Sequence, residues 1–549
     1  MKPCCQSCLP DRTINPTIGK RPQAGRISII EMSAVRDQVQ ICVVNGNTAP
    51  EALSETFDEF RNRIHQPHSL LPLWLSKLSR RVPKQLTHAE KKAALPMTVL
   101  NPATLHFDDC SNEQSDASIP IGRICGAARL NIKVKQSATL SNGATRVESD
   151  PPMSNEYSHI VVGAGSVGSA AAYWLSQRGA ERVLVLEQYD LLHQNGSFSD
   201  HSRIIRRVYP STDYVRLSDA MFDAWSHVES ASGLPLYTKT GGLDLAEIGT
   251  TGYGYVEKSR ATLDALGIPY EDLNAVDIRR RFPQWRVSDD TEAIWQADSG
   301  ILDIRRSVSA HISLALAAGV EFRGNARVEN IDMADNGVTV QTATEEFHAD
   351  RIVVAVGSWL GTLMGDLGLS FNLTLSQEQV TYFSSKSLSS FTPDRHPIWI
   401  HHAPNDVYYG FPVYGEAATK VARDMRSRFI NSEDRVFEGD DIEGELLAEY
   451  LREHLPDAAG PSLLHRTCVY DMPPDRGFVL DTLPGHPHVA VFNGAGHAGK
   501  FSSLMGQILA DLQTTGSTPH PIAPFTLNRP AIADPNYDRT FTLPAPAVH

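Results

Sequence analysis

The stretch IVVGAGSVGSAAAYWLSQRGAERVLVLE, from Ile160 to Glu187, joins an apolar strand, a glycine-rich turn, a helix-length segment and a second apolar strand. Its turn, Gly163-x-Gly165-x-x-Gly168, is the dinucleotide-binding fingerprint when a strand precedes it and a helix follows. In that fold the first glycine makes the tight turn, the second lets the backbone approach the pyrophosphate, and the third lets the helix pack against the strand. The stretch therefore predicts an α/β, Rossmann-like nucleotide-binding domain.

The ends of this unit carry the groups that would hold a cofactor. The N-terminus of the helix predicted after the glycine turn would offer free N–H groups and partial positive charge to phosphates. Glu187 follows Gly168 by about 20 residues, the spacing at which a carboxylate accepts hydrogen bonds from ribose hydroxyls. A carboxylate there argues against a 2′-phosphate, and so against NADP, but it leaves FAD and NAD open. We predict cofactor contacts from Gly163, Gly165, Ser166, Gly168 and Glu187.

Composition excludes several other classes of protein. The chain has 549 residues, of which 41% are hydrophobic, and a formal net charge of −14. This length suggests two to four domains of about 150 residues each, with room to enclose a cofactor. An acidic chain is not expected to bind nucleic acid, which needs a basic face. No run reaches the roughly 18 apolar residues of a membrane span, so we expect a soluble protein with no membrane association.

The cysteines are unevenly placed, since six of the seven precede the nucleotide motif and only Cys468 follows it. The part of the chain after the motif therefore cannot contain an internal disulfide, which fits a reducing compartment. The spacing of Cys5-x-x-Cys8 is typical of a metal-binding or redox-active motif. No second cysteine pair at ligand spacing and no βαβ context accompany it. We interpret these two as incidental thiols and predict no metal site.

The chain divides by pattern into an extension and a functional part. Residues 1–152 show no repeat and no chemical motif, so we expect a largely irregular N-terminal extension that is weakly ordered or dispensable. The functional unit is predicted to begin at Met153, just before the first strand. Later segments rich in aromatic and β-branched residues predict a mostly antiparallel β-sheet substrate domain inserted into the first domain. The predicted segments are 153–240, 303–373 and 465–535 for the cofactor domain, 241–302 and 374–464 for the substrate domain, and 536–549 for a C-terminal tail.

A basic cluster follows the nucleotide unit at Ser202-Arg203-Ile204-Ile205-Arg206-Arg207. Three arginines within five residues suggest anion recognition, because a planar guanidinium can hold a carboxylate through two hydrogen bonds. On composition alone a solvated surface turn is the better interpretation. The family resemblance described next favours anion recognition over a surface turn.

Five segments, in order, resemble the monomeric sarcosine oxidase family of FAD-dependent amine oxidases, within the D-amino-acid-oxidase-like superfamily. Members include N-methyltryptophan, pipecolate, saccharopine and fructosyl amino acid oxidases. The resemblance runs from about Glu156 to Arg529 and covers nearly everything after the extension. The segments are the Gly163 region, Ser202 to Arg206, Tyr408 to Pro412, Cys468 to Tyr470, and Gly496 to Ser503.

This resemblance implies FAD rather than NAD, with the flavin attached covalently through an 8α-thioether to Cys468. The chemistry is reasonable because a thiolate is a good nucleophile. Without the surrounding motif, a buried structural cysteine would be the simpler interpretation. The resemblance also places Ser202, Arg203, Gly496 and Lys500 among the cofactor contacts.

The resemblance further implies roles for four cations. Relatives hold the substrate carboxylate between an arginine and a lysine that match Arg206 and Lys500, which orients the carbon beside the amine toward flavin N5. Arg203 matches an arginine near the flavin ring, where positive charge favours the anionic reduced flavin. Lys420 matches the lysine credited with activating oxygen, where a cation would stabilise superoxide. Its neighbours, however, differ from the family pattern.

Other matched positions lie around the expected substrate. Tyr409 and Tyr470 match tyrosines that line the substrate cavity, although core packing is an equally good role for them. His497 lies in the Gly-His turn near the flavin. Asp424 and Ser199 stand where histidines are frequent in relatives, so we expect an altered active-site polarity. Sarcosine itself is therefore not the expected best substrate.

The predicted function is the FAD-dependent oxidation of a secondary amine, an N-alkyl or cyclic α-amino acid, to an imine, with oxygen reduced to hydrogen peroxide. Expected partners are the small amine and molecular oxygen. The resemblance implies a monomer. A cytoplasmic location is expected because the chain ends Pro546-Ala547-Val548-His549, without a Ser-Lys-Leu-like peroxisomal signal.

Three alternatives stay open. The protein could be a biosynthetic oxidase of a larger alkaloid or peptide-derived amine, because the changed pocket residues permit one. A non-catalytic flavin-binding interaction protein is disfavoured by the joint presence of Arg206, Lys420 and Lys500. An NAD-dependent dehydrogenase that shares only the nucleotide motif is disfavoured by the later motifs.

Overall fold

The computed structural model describes residues 155–426 and 428–541, together with the backbone of five short upstream strands. By backbone contacts the chain divides into two compact units, Met1–Arg146 and Val147–His549. Cys5, Cys8 and the end of the predicted tail lie outside the described residues, as does most of the predicted extension. The upstream strands are β1 (Ile29–Val35), β2 (Gln38–Val44) and β3 (Glu51–Thr56), which form an antiparallel sheet, and the paired β4 (Phe107–Asp108) and β5 (Arg129–Leu130).

An eight-stranded sheet carries the nucleotide fingerprint. Its strands are β6 (Glu156–Val162), β7 (Val183–Leu186), β14 (Glu321–Arg323), β15 (Val328–Ala334), β16 (Gly337–Thr342), β17 (Glu346–Val354), β24 (Val479–Leu483) and β25 (His486–Asn493). Pairing is parallel in the order β14, β7, β6, β17, β25. Helix α1 (Ser166–Gln177) connects β6 to β7. Residues 160–162 of β6, residues 352–354 of β17 and all of β7 are apolar and buried, as expected for parallel strands in a sheet that is covered on both faces.

The glycine turn holds β6 and α1 unusually close together. Gly163 has a φ of +95°, a conformation that L side chains rarely adopt. A Cβ atom on Gly168 would lie 1.8 Å from the carbonyl oxygen of Gly163. Only glycine at position 168 therefore lets α1 start directly against the turn.

A nine-stranded sheet forms the second layer of the fold. Its pairs are antiparallel except for the parallel pair of β10 and β19. This arrangement confirms the predicted fold class, a Rossmann-like domain with an inserted, mostly antiparallel domain. The strands are β10 (Gly242–Glu247), β11 (Glu271–Asn274), β12 (Thr291–Gln296), β18 (Thr374–Phe383), β19 (Ile398–His402), β20 (Val407–Phe411), β21 (Thr419–Arg423), β22 (Phe429–Ile430) and β23 (Ser462–Met472).

A small antiparallel sheet and the remaining helices complete the described part. The sheet contains β8 (Ser202–Ile205), β9 (Tyr237–Lys239) and β13 (Gly300–Asp303). Among the described residues, no helix is long and apolar enough to cross a membrane. The helices are α2 (Thr212–Arg216), α3 (Ser218–Ser232), α4 (Thr251–Leu266), α5 (Ala275–Arg281), α6 (Ile304–Ala317), α7 (Leu360–Asp366), α8 (Asp441–His454), α9 (Ser502–Thr515) and α10 (Pro530–Ala533).

Strand β23 crosses the predicted boundary between segments 374–464 and 465–535. It pairs with β18 along its whole length, and Cys468 lies directly opposite Glu378. The cysteine thus belongs, by hydrogen bonding, to the nine-stranded sheet. The division of the chain into domain segments stays a prediction.

Candidate active site

A cavity of about 1230 Å³ extends from the glycine turn to the nine-stranded sheet. It exceeds the roughly 300–1,000 Å³ typical of a pocket for one drug-sized ligand. Gly168 and Ser199 are not in its wall, so the expected change in pocket polarity falls on Asp424. The predicted site residues that line it are Gly163, Gly165, Ser166, Glu187, Ser202, Arg203, Arg206, Tyr409, Lys420, Cys468, Tyr470, Gly496, His497 and Lys500.

The nucleotide end of the cavity fits a dinucleotide cofactor. Helix α1 starts after Gly165, and no side chain in the described part of the chain caps it. Its first N–H groups are therefore available to a phosphate. The buried Glu187 carboxylate accepts hydrogen bonds from the backbone N–H of Ala164 at 2.8 Å and of Tyr189 at 3.0 Å. These contacts hold the acid at the end of β7, where the fingerprint requires it.

Cys468 lies in the cavity wall as a free thiol. Burial raises the pKa of this thiol, while the positive charges of Arg203 and Arg435 oppose that shift. Burial also raises the pKa of the opposing Glu378 to about 7. The thiol is thus mainly protonated, with two guanidinium groups in electrostatic reach that would stabilise a thiolate once formed.

Lys420 is a buried cation fixed by two acceptors. Its Nζ donates to Oδ2 of Asp200 at 2.8 Å and to the carbonyl of Ser202 at 3.0 Å, and lies 4.1 Å from the centre of the Phe411 ring. Burial lowers the pKa of Lys420, and Asp200 opposes this shift. Burial by itself would raise the pKa of Asp200. The positive charges of Lys420 and Arg203 nevertheless hold this pKa well below its usual range. The charged pair therefore persists at neutral pH.

Arg206 and Lys500 lie in the same cavity but have different partners. The guanidinium of Arg206 forms an ion pair with the fully buried Asp244 and donates to the hydroxyl of Tyr255 at 3.2 Å. Lys500 Nζ donates to the carbonyl of His497 at 3.0 Å. Burial lowers the pKa of Lys500 to about 7, and the charge of Arg206 acts in the same direction. Lys500 thus changes charge near neutral pH, whereas Arg206 stays charged and shared with an aspartate.

Aromatic groups line the same cavity as these cations. Burial raises the pKa values of Tyr409 and Tyr470, so both hydroxyls stay neutral. His497 contacts the carbonyl of Arg476 through Nε2 at 3.0 Å, and burial lowers its pKa to about 3. Gly496 has a φ of +79°, and a Cβ atom there would lie 2.5 Å from Cγ of Tyr470. The glycine therefore lets the Gly-His turn pack against the tyrosine ring.

Comparison with known proteins identifies the family, because residues 158–512 match the FAD dependent oxidoreductase family. The chain belongs to this family. It is 35% identical to monomeric sarcosine oxidase of Streptomyces avermitilis over 390 residues, which cover 69% of this chain and 100% of that protein. It is 30% identical to N-methyl-L-tryptophan oxidase of Salmonella agona over 381 residues, covering 68% of this chain and 99% of that protein.

Among solved structures, the chain is similar to NikD, described as an unusual amino acid oxidase essential for nikkomycin biosynthesis. The identity is 30% and the TM-score 0.61, over 68% of this chain and 97% of NikD. These findings confirm the predicted resemblance and the predicted class of FAD-dependent amine oxidases. Membership of a FAD family also removes the NAD-dependent alternative.

Three ion-pair partners in the site of this FAD-dependent oxidoreductase were not predicted from the sequence. They are Asp200, Asp244 and Arg476, which pair with Lys420, Arg206 and Asp424 respectively. A signal existed for Asp244, an acid within the apolar strand β10. Asp200 and Arg476 lie close to segments that resemble the family. Their partners, however, are distant in sequence, and no local pattern indicates such pairings.

Proposed function

We propose that this FAD-dependent oxidoreductase oxidises a secondary amine, an N-alkyl or cyclic α-amino acid, to an imine and reduces oxygen to hydrogen peroxide. The observation that carries the proposal is that Arg206, Lys420, Cys468 and Lys500 come from distant parts of the chain yet line one cavity. Bound FAD would accept the hydride and reduce oxygen, as flavins do in general. The protein supplies binding, orientation and charge.

Arg206 and Lys500 would bind the substrate carboxylate. A guanidinium has five N–H donors, and Asp244 and Tyr255 occupy only two of those on Arg206. Protonated Lys500 has three donors, one of which is used by the carbonyl of His497. Two cations on one carboxylate fix the position of the carbon beside the amine, which accelerates reaction by orientation. The half-buried, neutral side chains of Tyr409 and Tyr470 would help to exclude water from the amine.

Lys420 would act on oxygen rather than on the amine. Its ammonium is fixed by Asp200 and Ser202 and does not need to reorganise when negative charge develops nearby. A preorganised charge of this kind, in a dry site, stabilises a developing anion strongly.

Covalent attachment of FAD to Cys468 is part of the proposal, as are a monomeric state and a cytoplasmic location. The position of the thiol in the cavity wall, near Arg203 and Arg435, supports attachment. Denaturing gel electrophoresis of wild type and Cys468→Ala, viewed under ultraviolet light in acid, tests it. We expect flavin fluorescence on the wild-type band only. A dark wild-type band from yellow protein would mean that FAD is held without a covalent bond.

A larger amine from a biosynthetic pathway is the second candidate substrate. The likeness to NikD at 30% identity supports it, as does the volume of the cavity.

The oxidase reaction itself is tested by measuring oxygen uptake and peroxide release with sarcosine, N-methyl-L-tryptophan, L-pipecolate and L-proline. We expect equal amounts of oxygen consumed and peroxide formed with at least one of them. Oxygen uptake without peroxide would contradict the proposed oxidase reaction.

A further inference from the structure

One ion pair in the cavity wall has no role in the proposed reaction. Asp424 directly follows β21, and Arg476 lies in the turn after β23 with a φ of +54°. Arg476 Nη1 lies 3.0 Å from Oδ2 of Asp424, and Nη2 lies 3.1 Å from Oδ1. Both residues line the cavity. The pair is therefore placed where a substrate can meet it.

Asp424 lies beside the groups that would hold the substrate. His497 links the pair to Lys500, because its Nε2 contacts the carbonyl of Arg476 at 3.0 Å and its own carbonyl accepts a hydrogen bond from Lys500 Nζ at 3.0 Å. Tyr409 and Tyr470 line the same cavity. The carboxylate site at Lys500 and the aromatic wall thus share one region with the ion pair. When an amino acid is held by its carboxylate there, its side group is the part left to contact the pair.

The pair retains unused hydrogen-bonding capacity. The Asp424 side chain is 32% exposed and that of Arg476 is 27% exposed. A carboxylate offers about four acceptor sites and a guanidinium five donors, and the bidentate contact uses two of each. Beside the pair, Nδ1 of His497 has no hydrogen-bond partner among the described residues. This part of the wall therefore offers donors and acceptors together, while the pair itself carries no net charge.

We propose that Asp424 and Arg476 form a side-group subsite that selects amine substrates bearing a neutral group able to both donate and accept hydrogen bonds, such as a carboxamide. The inference rests on the proposed amine oxidase function and names its substrate class. An amide can accept from Arg476 and donate to Asp424 at once, because its C=O and NH₂ lie side by side. An alkyl group of the same shape covers both charged groups without replacing their hydrogen bonds to water, which weakens binding.

The test compares N-methyl-L-asparagine with N-methyl-L-leucine, whose side groups have nearly the same shape. For wild type we expect kcat/KM to favour the amide by at least about 10-fold, the effect of one or more hydrogen bonds left unmade. The double variant Asp424→Leu/Arg476→Met removes both charges together and leaves neither unpaired. It is expected to bring the ratio to one or below.

The matched control is Arg279→Met/Asp289→Leu, which removes an ion pair of 2.7 Å between residues outside the cavity wall. It should keep the wild-type ratio.

The outcomes separate the two proposals. If neither compound reduces the flavin but sarcosine, N-methyl-L-tryptophan, L-pipecolate or L-proline does, the subsite is overturned and the amine oxidase proposal stands; if none of these amines reduces it, both proposals fail. If both are oxidised with a wild-type ratio near one, only the subsite is overturned. A preference for the amide that survives in the double variant also overturns the subsite. Should that variant not retain FAD, the wild-type ratio still decides, because a value near one rejects the subsite by itself.

Discussion

At the scale of single residues, the site is a set of cations whose charges are compensated to different degrees. Arg206, Lys420 and Arg476 each have an aspartate partner, whereas Lys500 donates, within residues 155–426 and 428–541, only to a backbone carbonyl. Removing one member of a buried pair leaves an unpaired charge, which typically costs about 3–5 kcal/mol. Lys500 does not form such a pair, so its protonation state depends on the pH of the solution and on the charge of the bound ligand.

Carboxylate binding should depend on pH through Lys500. Its pKa of about 7 means that the free enzyme carries this charge below pH 7 and loses it above. The affinity for propionate, which has no amine to titrate, should therefore fall about 10-fold between about pH 6 and pH 8. Flavin absorbance changes during titration measure the Kd.

Lys500→Arg is the control for this pH dependence, because a guanidinium stays charged throughout the range. Its Kd for propionate should be nearly constant. If the Kd for propionate rose equally with pH in wild type and Lys500→Arg, a group other than Lys500 would be responsible for the pH dependence.

Oxygen reduction should depend on Lys420. Lys420→Met removes the preorganised charge and should slow reoxidation of the reduced enzyme by about 100-fold, the usual effect of losing one such group. Reduction by the amine should change far less. Stopped-flow mixing of reduced enzyme with oxygenated buffer measures the rate, and Lys420→Arg serves as the charge-retaining control. Unchanged reoxidation in a folded, FAD-loaded Lys420→Met variant would remove this role.

At the scale of elements, the close contact of β6 and α1 determines whether the cofactor end of the cavity can form. Ala at position 168 would place Cβ against the Gly163 carbonyl, and backbone must move to relieve the clash. We expect Gly168→Ala to lose about 2 kcal/mol of stability, typical of overpacking, and to bind less FAD. Thermal unfolding and flavin content after purification measure both effects.

Gly254→Ala is the matched control, because Gly254 lies within α4 with nothing near its absent Cβ atom. Alanine there should stabilise the helix by up to about 1 kcal/mol. If Gly168→Ala and Gly254→Ala lost equal stability and equal FAD content, the clash at position 168 would not explain the effect of the first substitution.

Sequence patterns predicted the elements that are locally encoded. The strand, glycine turn and helix between Ile160 and Glu187 form as expected, because their glycines and apolar periodicity act within one short segment. The sheet membership of Cys468 was not predictable in the same way. It depends on the pairing of β18 with β23, two strands that are distant in sequence. Arg476 also has a positive φ, a conformation that glycine adopts more readily than arginine, so the residue type did not predict this turn.

At the scale of the whole molecule, the cavity is assembled from distant parts of the chain. The family resemblance supplied the cations at Arg206, Lys420 and Lys500, but not the aspartates that compensate two of them. Each pairing joins a residue that flanks β8 to a strand of the nine-stranded sheet, and the sequence contains no periodic signal for such a contact. The match to full-length relatives is consistent with a functional unit that begins at Met153, and this boundary stays a prediction.

The most direct test of the central claim is anaerobic mixing of the purified protein with an excess of each secondary amino acid in the substrate panel. We expect at least one amine to bleach the visible absorbance of bound FAD and oxygen to restore it with release of hydrogen peroxide. Lys500→Met should require a higher amine concentration. FAD-loaded protein whose absorbance is unchanged by every secondary amine would contradict the account.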